Sequence, residues 1–123
     1  MTLTPEHLAT YIGGQMEIQN RGEGYLFRGE ISATSITDNV MFVEFSWLAR
    51  GEGFPPAPSR WIKHDDTRYQ VSLSICSASE IGPSGGNIGG GSRICISCPH
   101  IGELIVLYPV DGSKLDPARV ESP

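Results

Sequence analysis

The stretch Val40-Met41-Phe42-Val43-Glu44-Phe45-Ser46-Trp47-Leu48 decides the fold class. Its density of β-branched and aromatic residues marks a strand. Read with a period of two, Met41, Val43, Phe45 and Trp47 share one apolar face. Val40, Phe42 and Leu48 share the other with Glu44 and Ser46. A second face this apolar needs cover from a helix, another sheet or a second copy of the chain.

Upstream, Asp38-Asn39 reads as a tight hairpin turn, because both residues tolerate positive φ. Before it, Tyr25, Phe27, Gly29 and Ile31 alternate with Leu26, Arg28, Glu30 and Ser32. Arg21-Gly22-Glu23-Gly24 is a turn, and Gln15 to Asn20 alternates with Met16 and Ile18 on one face. The opening reads as a short helix, with Thr4 as N-cap and Pro5 in the first turn. Leu8, Tyr11 and Ile12 share its apolar face, and Gly13-Gly14 stops it.

Downstream, the three prolines between Arg50 and Ser59 argue for an irregular excursion. Tyr69, Val71, Leu73 and Ile75 then alternate as a strand with one wet face. Arg93 to Cys98 and Glu103 to Tyr108 read as two more strands, the latter apolar on both sides. Asp111-Gly112 turns the chain, and Asp116-Pro117 caps a possible last helical turn.

The sum is a mainly β (α+β) chain forming a single domain over 1–123. A helix over 1–14 precedes a β-region over 15–110, interrupted by loops 50–68 and 82–92, and a C-terminal tail covers 111–123. About five or six antiparallel strands with short connections suggest a small β-barrel or a strongly bent sheet. In outline the order resembles the Sm-like and SH3-like small barrels, a likeness of shape that carries no function across.

A net charge of −5 opposes general affinity for nucleic acid or an anionic membrane, since both need a basic surface. The cysteines are Cys76, Cys95 and Cys98, an odd number in a chain long enough to fold without cross-links. With no basic and apolar leader at Met1 to His7 and no run long enough to span a bilayer, a reduced, cytoplasmic setting is expected.

Three motifs invite chemistry. Cys95-Ile96-Ser97-Cys98 could hold zinc or exchange thiols, with Cys76 and His100 as further ligands. Strand alternation, however, points Cys95 and Cys98 to opposite faces, and no second pair exists. The six glycines from Gly82 to Gly91 lack the lysine of a phosphate loop. Between Arg60 and Tyr69, Arg60, Lys63 and Arg68 could meet phosphates while Trp61 and Tyr69 stack on bases. Asp65 and Asp66 oppose that reading, and the alternative is that Trp61 anchors in the core.

No pair of residues is tied into a recognised catalytic context, and neither a cofactor nor a metal is expected. The expectation is a non-catalytic, self-associating binding domain. Val40, Phe42, Leu48, Ile105 and Leu107 are its expected contacts between copies, in a homodimer or small ring. Phe54, Arg60, Trp61, Lys63, His64 and Tyr69 are the expected contacts with a small-molecule or protein ligand. The alternatives are a single-stranded nucleic-acid-binding barrel using the 60–69 segment, and a zinc or thiol site at Cys95 and Cys98.

Overall fold

The computed structural model describes residues 3–53, 57–81 and 92–123. Phe54 and most of the glycine-rich loop therefore lie outside the described residues. Helix α1 (Pro5–Ala9) is followed by β1 (Gln15–Asn20), β2 (Tyr25–Thr37) and β3 (Val40–Glu52). Then come β4 (Arg60–Lys63), β5 (Arg68–Ser72), β6 (Ser77–Ile81), β7 (Arg93–Cys98), β8 (Glu103–Tyr108) and β9 (Val120–Glu121). The strands form one sheet in the order β6-β7-β8-β1-β2-β3-β4-β9, with β5 also on β3. The result is nine strands in an open sheet among the described residues, where five or six in a small barrel or a strongly bent sheet were expected.

The excess has identifiable sources. β3 runs on to Glu52, four residues past the quoted stretch, and the polar segment after the prolines supplies β4. The expected strand from Tyr69 to Ile75 divides into β5 and a single 3₁₀ turn, Leu73–Ile75. The tail over 111–123 belongs to the sheet, because β9 pairs parallel with β4.

The helix and the first hairpins form as local chemistry dictates. The Thr4 hydroxyl accepts from the His7 amide at 3.1 Å, and Pro5 sits in the first turn. Leu8 and Tyr11 are buried, but the helix ends at Ala9, so Ile12 lies off its stripe and is exposed. Asp38 and Asn39 have φ of 52° and 61°, as the two-residue primed turn requires. A Cβ on Gly14 would lie 2.1 Å from the Tyr108 carbonyl oxygen, so only glycine lets the chain enter β1 there.

The inner face carries the main core: Leu8 from α1 and Tyr11 just after it, Met16 and Ile18, Ile31, Met41, Val43 and Phe45, Val71, Ile94 and Ile96, Ile105 and Leu107. Leu48 belongs to it as well. Met41, Val43 and Phe45 face inward as expected, but the expected faces of β3 reverse after Ser46. Trp47 pairs with Glu30 and Phe45 with Ile31, so Ser46 is an extra residue, a β-bulge that shifts the side-chain phase. Leu48 therefore turns inward, and Trp47 joins Leu26, Ala49, Trp61 and Leu115 in a second cluster. Gly29 is opposite Leu48, where a Cβ would lie 2.7 Å from the Trp47 carbonyl oxygen.

Burial corrects the expected contacts between copies. Leu48, Ile105 and Leu107 are 5%, 0% and 0% exposed, within the subunit's own core. Phe42 remains exposed and Val40 is half-buried. Val106 is buried on the outer side of β8, but Leu104 is exposed, so that strand is covered on both faces only in part.

A buried cation fastens the tail to the outer face. Arg28 donates from Nε to Gln15 Oε1 at 2.9 Å and from Nη2 to the Ser113 carbonyl at 2.8 Å. Its guanidinium lies 4.2 Å from the Tyr108 ring centroid and 3.4 Å from a Glu17 oxygen. Gln15 completes the strap, exchanging hydrogen bonds with the Leu115 backbone at 2.9 and 2.8 Å. Removing one member of such a buried set leaves its partners unsatisfied. Arg28→Met is expected to lower the unfolding free energy by about 3 kcal/mol, measured by urea titration.

A disulfide joins Cys76 to Cys98 across 22 residues. The odd cysteine count concealed it, because Cys95 is the thiol left over. Cys98 is fully buried while Cys95 is half-exposed, so the two do point to opposite faces. Opening the bridge with a reductant is expected to reduce stability by about 3 kcal/mol, the loop-closure value for this span. Matched urea titrations with and without reductant check it.

Candidate functional site

The bulge also creates the site. The first half of β3, Val40 to Glu44, pairs with β5, and Ala49 to Glu52 pairs with β4. The intervening corner is spanned by the connection from β4 to β5. His64 donates its amide to the Leu48 carbonyl and Phe45 donates to the Thr67 carbonyl, each at 2.8 Å. This suspends His64 and Asp66 over the inner face beside Leu48, where they border a cavity of about 150 Å³.

Register supplies the opposite wall. Ile18 lies between Phe27 and Ile105, and Asn20 lies between Tyr25 and Glu103. Residues directly opposite on neighbouring strands share a face, so these form two adjacent rows. The inner row is apolar and the terminal row is polar. Asn20 is 3% exposed and ties the end together, donating to the Ile101 carbonyl at 2.8 Å and to the Tyr25 hydroxyl at 3.2 Å. Its own carbonyl accepts from the Glu23 amide at 2.9 Å.

Glu103 is gripped by two phenols. The Tyr25 hydroxyl donates to Oε2 and the Tyr69 hydroxyl to Oε1, each at 2.5 Å. Ile18, Phe27 and Leu48 add apolar wall. The rings are mutually inclined: Tyr25 and Phe27 have centroids 5.6 Å apart at 57°, and Phe27 and His64 5.0 Å apart at 63°. Arg68 and Asp66 stand exposed at the rim, where the Arg68 amide donates to Asp66 at 3.2 Å. Asp66, Arg68 and Tyr69 also border a wider groove of about 460 Å³, with Phe42, Glu44 and Gln70 on its far side.

No protein-family model, curated protein or solved structure matches the chain.

Of the residues expected to meet a ligand, His64 and Tyr69 come together at the cavity. Trp61 is buried with Leu26, Ala49 and Leu115, as an anchor rather than a stacking platform. Arg60 is exposed and pairs with Glu121 at 3.3 Å, and Lys63 is exposed on the same strand. The phosphate-and-stacking constellation of Arg60 to Tyr69 is thus divided between two faces. Cys98 is bonded to Cys76, so the C-x-x-C pair does not act as a unit.

Sequence reasoning missed Tyr25, Phe27 and Glu103. The alternation of β2 put Tyr25 and Phe27 on the inner face, but no local signal aligned Glu103 with them. That needed the register of β1 with both β2 and β8.

Burial, then the hydrogen bond to Glu103 and its charge, raise the Tyr69 phenol far above its ordinary value of 10.0. The same causes raise Tyr25. The folded protein thus holds these protons more tightly than the unfolded chain does. The stabilisation is complete below pH 10.0 and is lost as pH climbs above that value toward the folded-state pKa. Unfolding free energy is expected to decline above about pH 10, with a shallower decline in Tyr69→Phe. At about pH 7 that substitution is expected to cost about 1 kcal/mol. Urea titrations across the alkaline range measure both.

Proposed function

We propose that the protein is a non-catalytic binding domain whose ligand seat is the cavity bounded by Tyr25, Phe27, Leu48, His64, Tyr69 and Glu103. The observation that supports this most directly is a carboxylate set among aromatic and aliphatic walls with, among the described residues, two phenols as its partners. Concave apolar sites with a few convergent polar groups are the usual form of a small-molecule site. Among the described lining residues there is no serine, threonine, cysteine or lysine, and the Glu103 carboxylate and the two phenols are hydrogen-bonded to one another. His64 meets the Phe27 ring in a T-shaped contact, and binding fits the site better than covalent chemistry.

Self-association is a second reading, narrower than the sequence suggests. With Leu48, Ile105 and Leu107 inside, exposed Phe42 and half-buried Val40 beside the β2–β3 turn are what remain of the apolar surface expected to join copies. Contact between copies along that hairpin accounts for an exposed phenylalanine on an otherwise polar face. As for setting, no helix among the described residues is long and apolar enough to cross a membrane. The Cys76–Cys98 bridge favours an oxidising compartment over the cytoplasmic one expected from the cysteine count.

A fragment library screened by amide NMR tests the ligand seat. Shifts clustered at Tyr25, Phe27, His64, Tyr69 and Glu103 are the expected result. Shifts confined to other surfaces, or none, would remove the proposal.

A further inference from the structure

We infer that this cavity receives an alkylated ammonium group, held against the rings of Tyr25, Phe27 and Tyr69 with Glu103 as its counter-charge. The inference rests on the ligand-seat reading above and names the ligand class. Four observations carry it.

Tyr25 and Phe27, and Phe27 and His64, are inclined to one another rather than stacked, and these rings border one cavity together with Tyr69. Aromatic faces attract a cation, and a set of them suits an ammonium whose methyl groups touch the walls. The charge is right as well. Glu103 accepts from two neutral phenols, and among the described residues no lysine or arginine lies within ion-pair distance of it. Arg68 and Asp66, of opposite charge, both stand exposed at the rim, so the interior charge is that of Glu103.

The polar inventory argues against a polyol. Among the described lining residues there is no amide side chain, and both phenols already donate to Glu103, so a polyol would compete for polar groups that are engaged. An alkylated ammonium needs charge and contact rather than a hydrogen-bond array. Size agrees: about 150 Å³ matches a guest such as benzene, a head group rather than a whole metabolite. The remainder of a ligand would extend into the groove past Phe42 and Glu44.

The test is an amide NMR titration of the full chain with choline and with its neutral carbon isostere, in which tert-butyl replaces trimethylammonium. Choline is expected to shift Tyr25, Phe27, Tyr69 and Glu103 and to bind about tenfold more tightly than the isostere. Equal or tighter binding of the isostere at these residues overturns the ammonium class and leaves the ligand seat standing. If neither compound nor any library fragment shifts them, both readings fall.

Glu103→Gln should abolish the preference for the charged compound. Because Glu103 also holds two tyrosines, Phe27→Leu provides a second variant that keeps the carboxylate and should weaken choline several-fold. Unchanged choline affinity in whichever variant folds overturns the inference. A glycine-flanked trimethyllysine peptide then distinguishes the source. Tighter binding than choline supports the inference with a protein side chain as the carrier, and weaker binding supports it with a free amine.

Discussion

With Glu30 opposite Trp47 and Ile31 opposite Phe45, Ser46 has no partner on β2, and the inward phase of β3 changes there. β2 changes phase at the same place, because Ser32 is skipped between the pairs Ile31–Phe45 and Ala33–Glu44. The two bulges let both long strands bend together while each keeps apolar residues inward on either side of the bend. Serine suits both positions. The Ser32 hydroxyl donates to the Glu44 carbonyl at 3.2 Å, and the Ser46 hydroxyl donates to a Glu30 carboxylate oxygen at 3.1 Å. Gly29 allows the close approach of β3 that this corner demands. From the corner follow the burial of Leu48, the second cluster around Trp47, and the division of β3's outer edge between β4 and β5.

The outer cluster needs its own closure, and the tail provides it. Leu26, Ala49 and Trp61 would face water without Leu115, which Gln15 and the Arg28 network hold in place. A buried guanidinium is costly unless its donors are engaged. Here acceptors on β1 and on the tail, together with the Tyr108 ring, meet that need. The disulfide performs a comparable task on the inner face, linking the segment after β5 to the end of β7.

What was legible in the sequence was local. Thr4 and Pro5, the Asp38-Asn39 turn, and the alternation of β1 and of the first half of β2 all follow from short-range sterics and hydrogen bonding. A bulge is not local in that sense. Nothing in Glu44-Phe45-Ser46-Trp47 reveals that Ser46 will lack a partner, because the reason is a register set by Gly29 on another strand. Trp47 and Leu48, which follow Ser46, therefore lie on the faces opposite to those their alternation predicts. The same limit applies to the site. His64 and Tyr69 were visible as unusual residues in a polar segment, whereas Glu103 read as an ordinary strand-opening charge. Only the pairing of Asn20 with both Tyr25 and Glu103 brings the acid to the rings.

The site occupies a place the fold does not need to be polar. Asn20 satisfies the backbone at the end of the sheet, and the core beyond Ile18 and Ile105 is complete without Glu103. A part-buried carboxylate must surrender hydration, and two phenol donors return only part of it, since a carboxylate has about four acceptor positions. Apolar side chains of similar volume at Tyr25, Tyr69 and Glu103 would avoid that cost. Glu103 keeps acceptor positions beyond the two that the tyrosines fill, and the open corner at Ser46 leaves the cavity without a strand across it. A polar group that stability does not require, facing a space that the strand pairing leaves open, is the physical ground for assigning the cavity to a ligand.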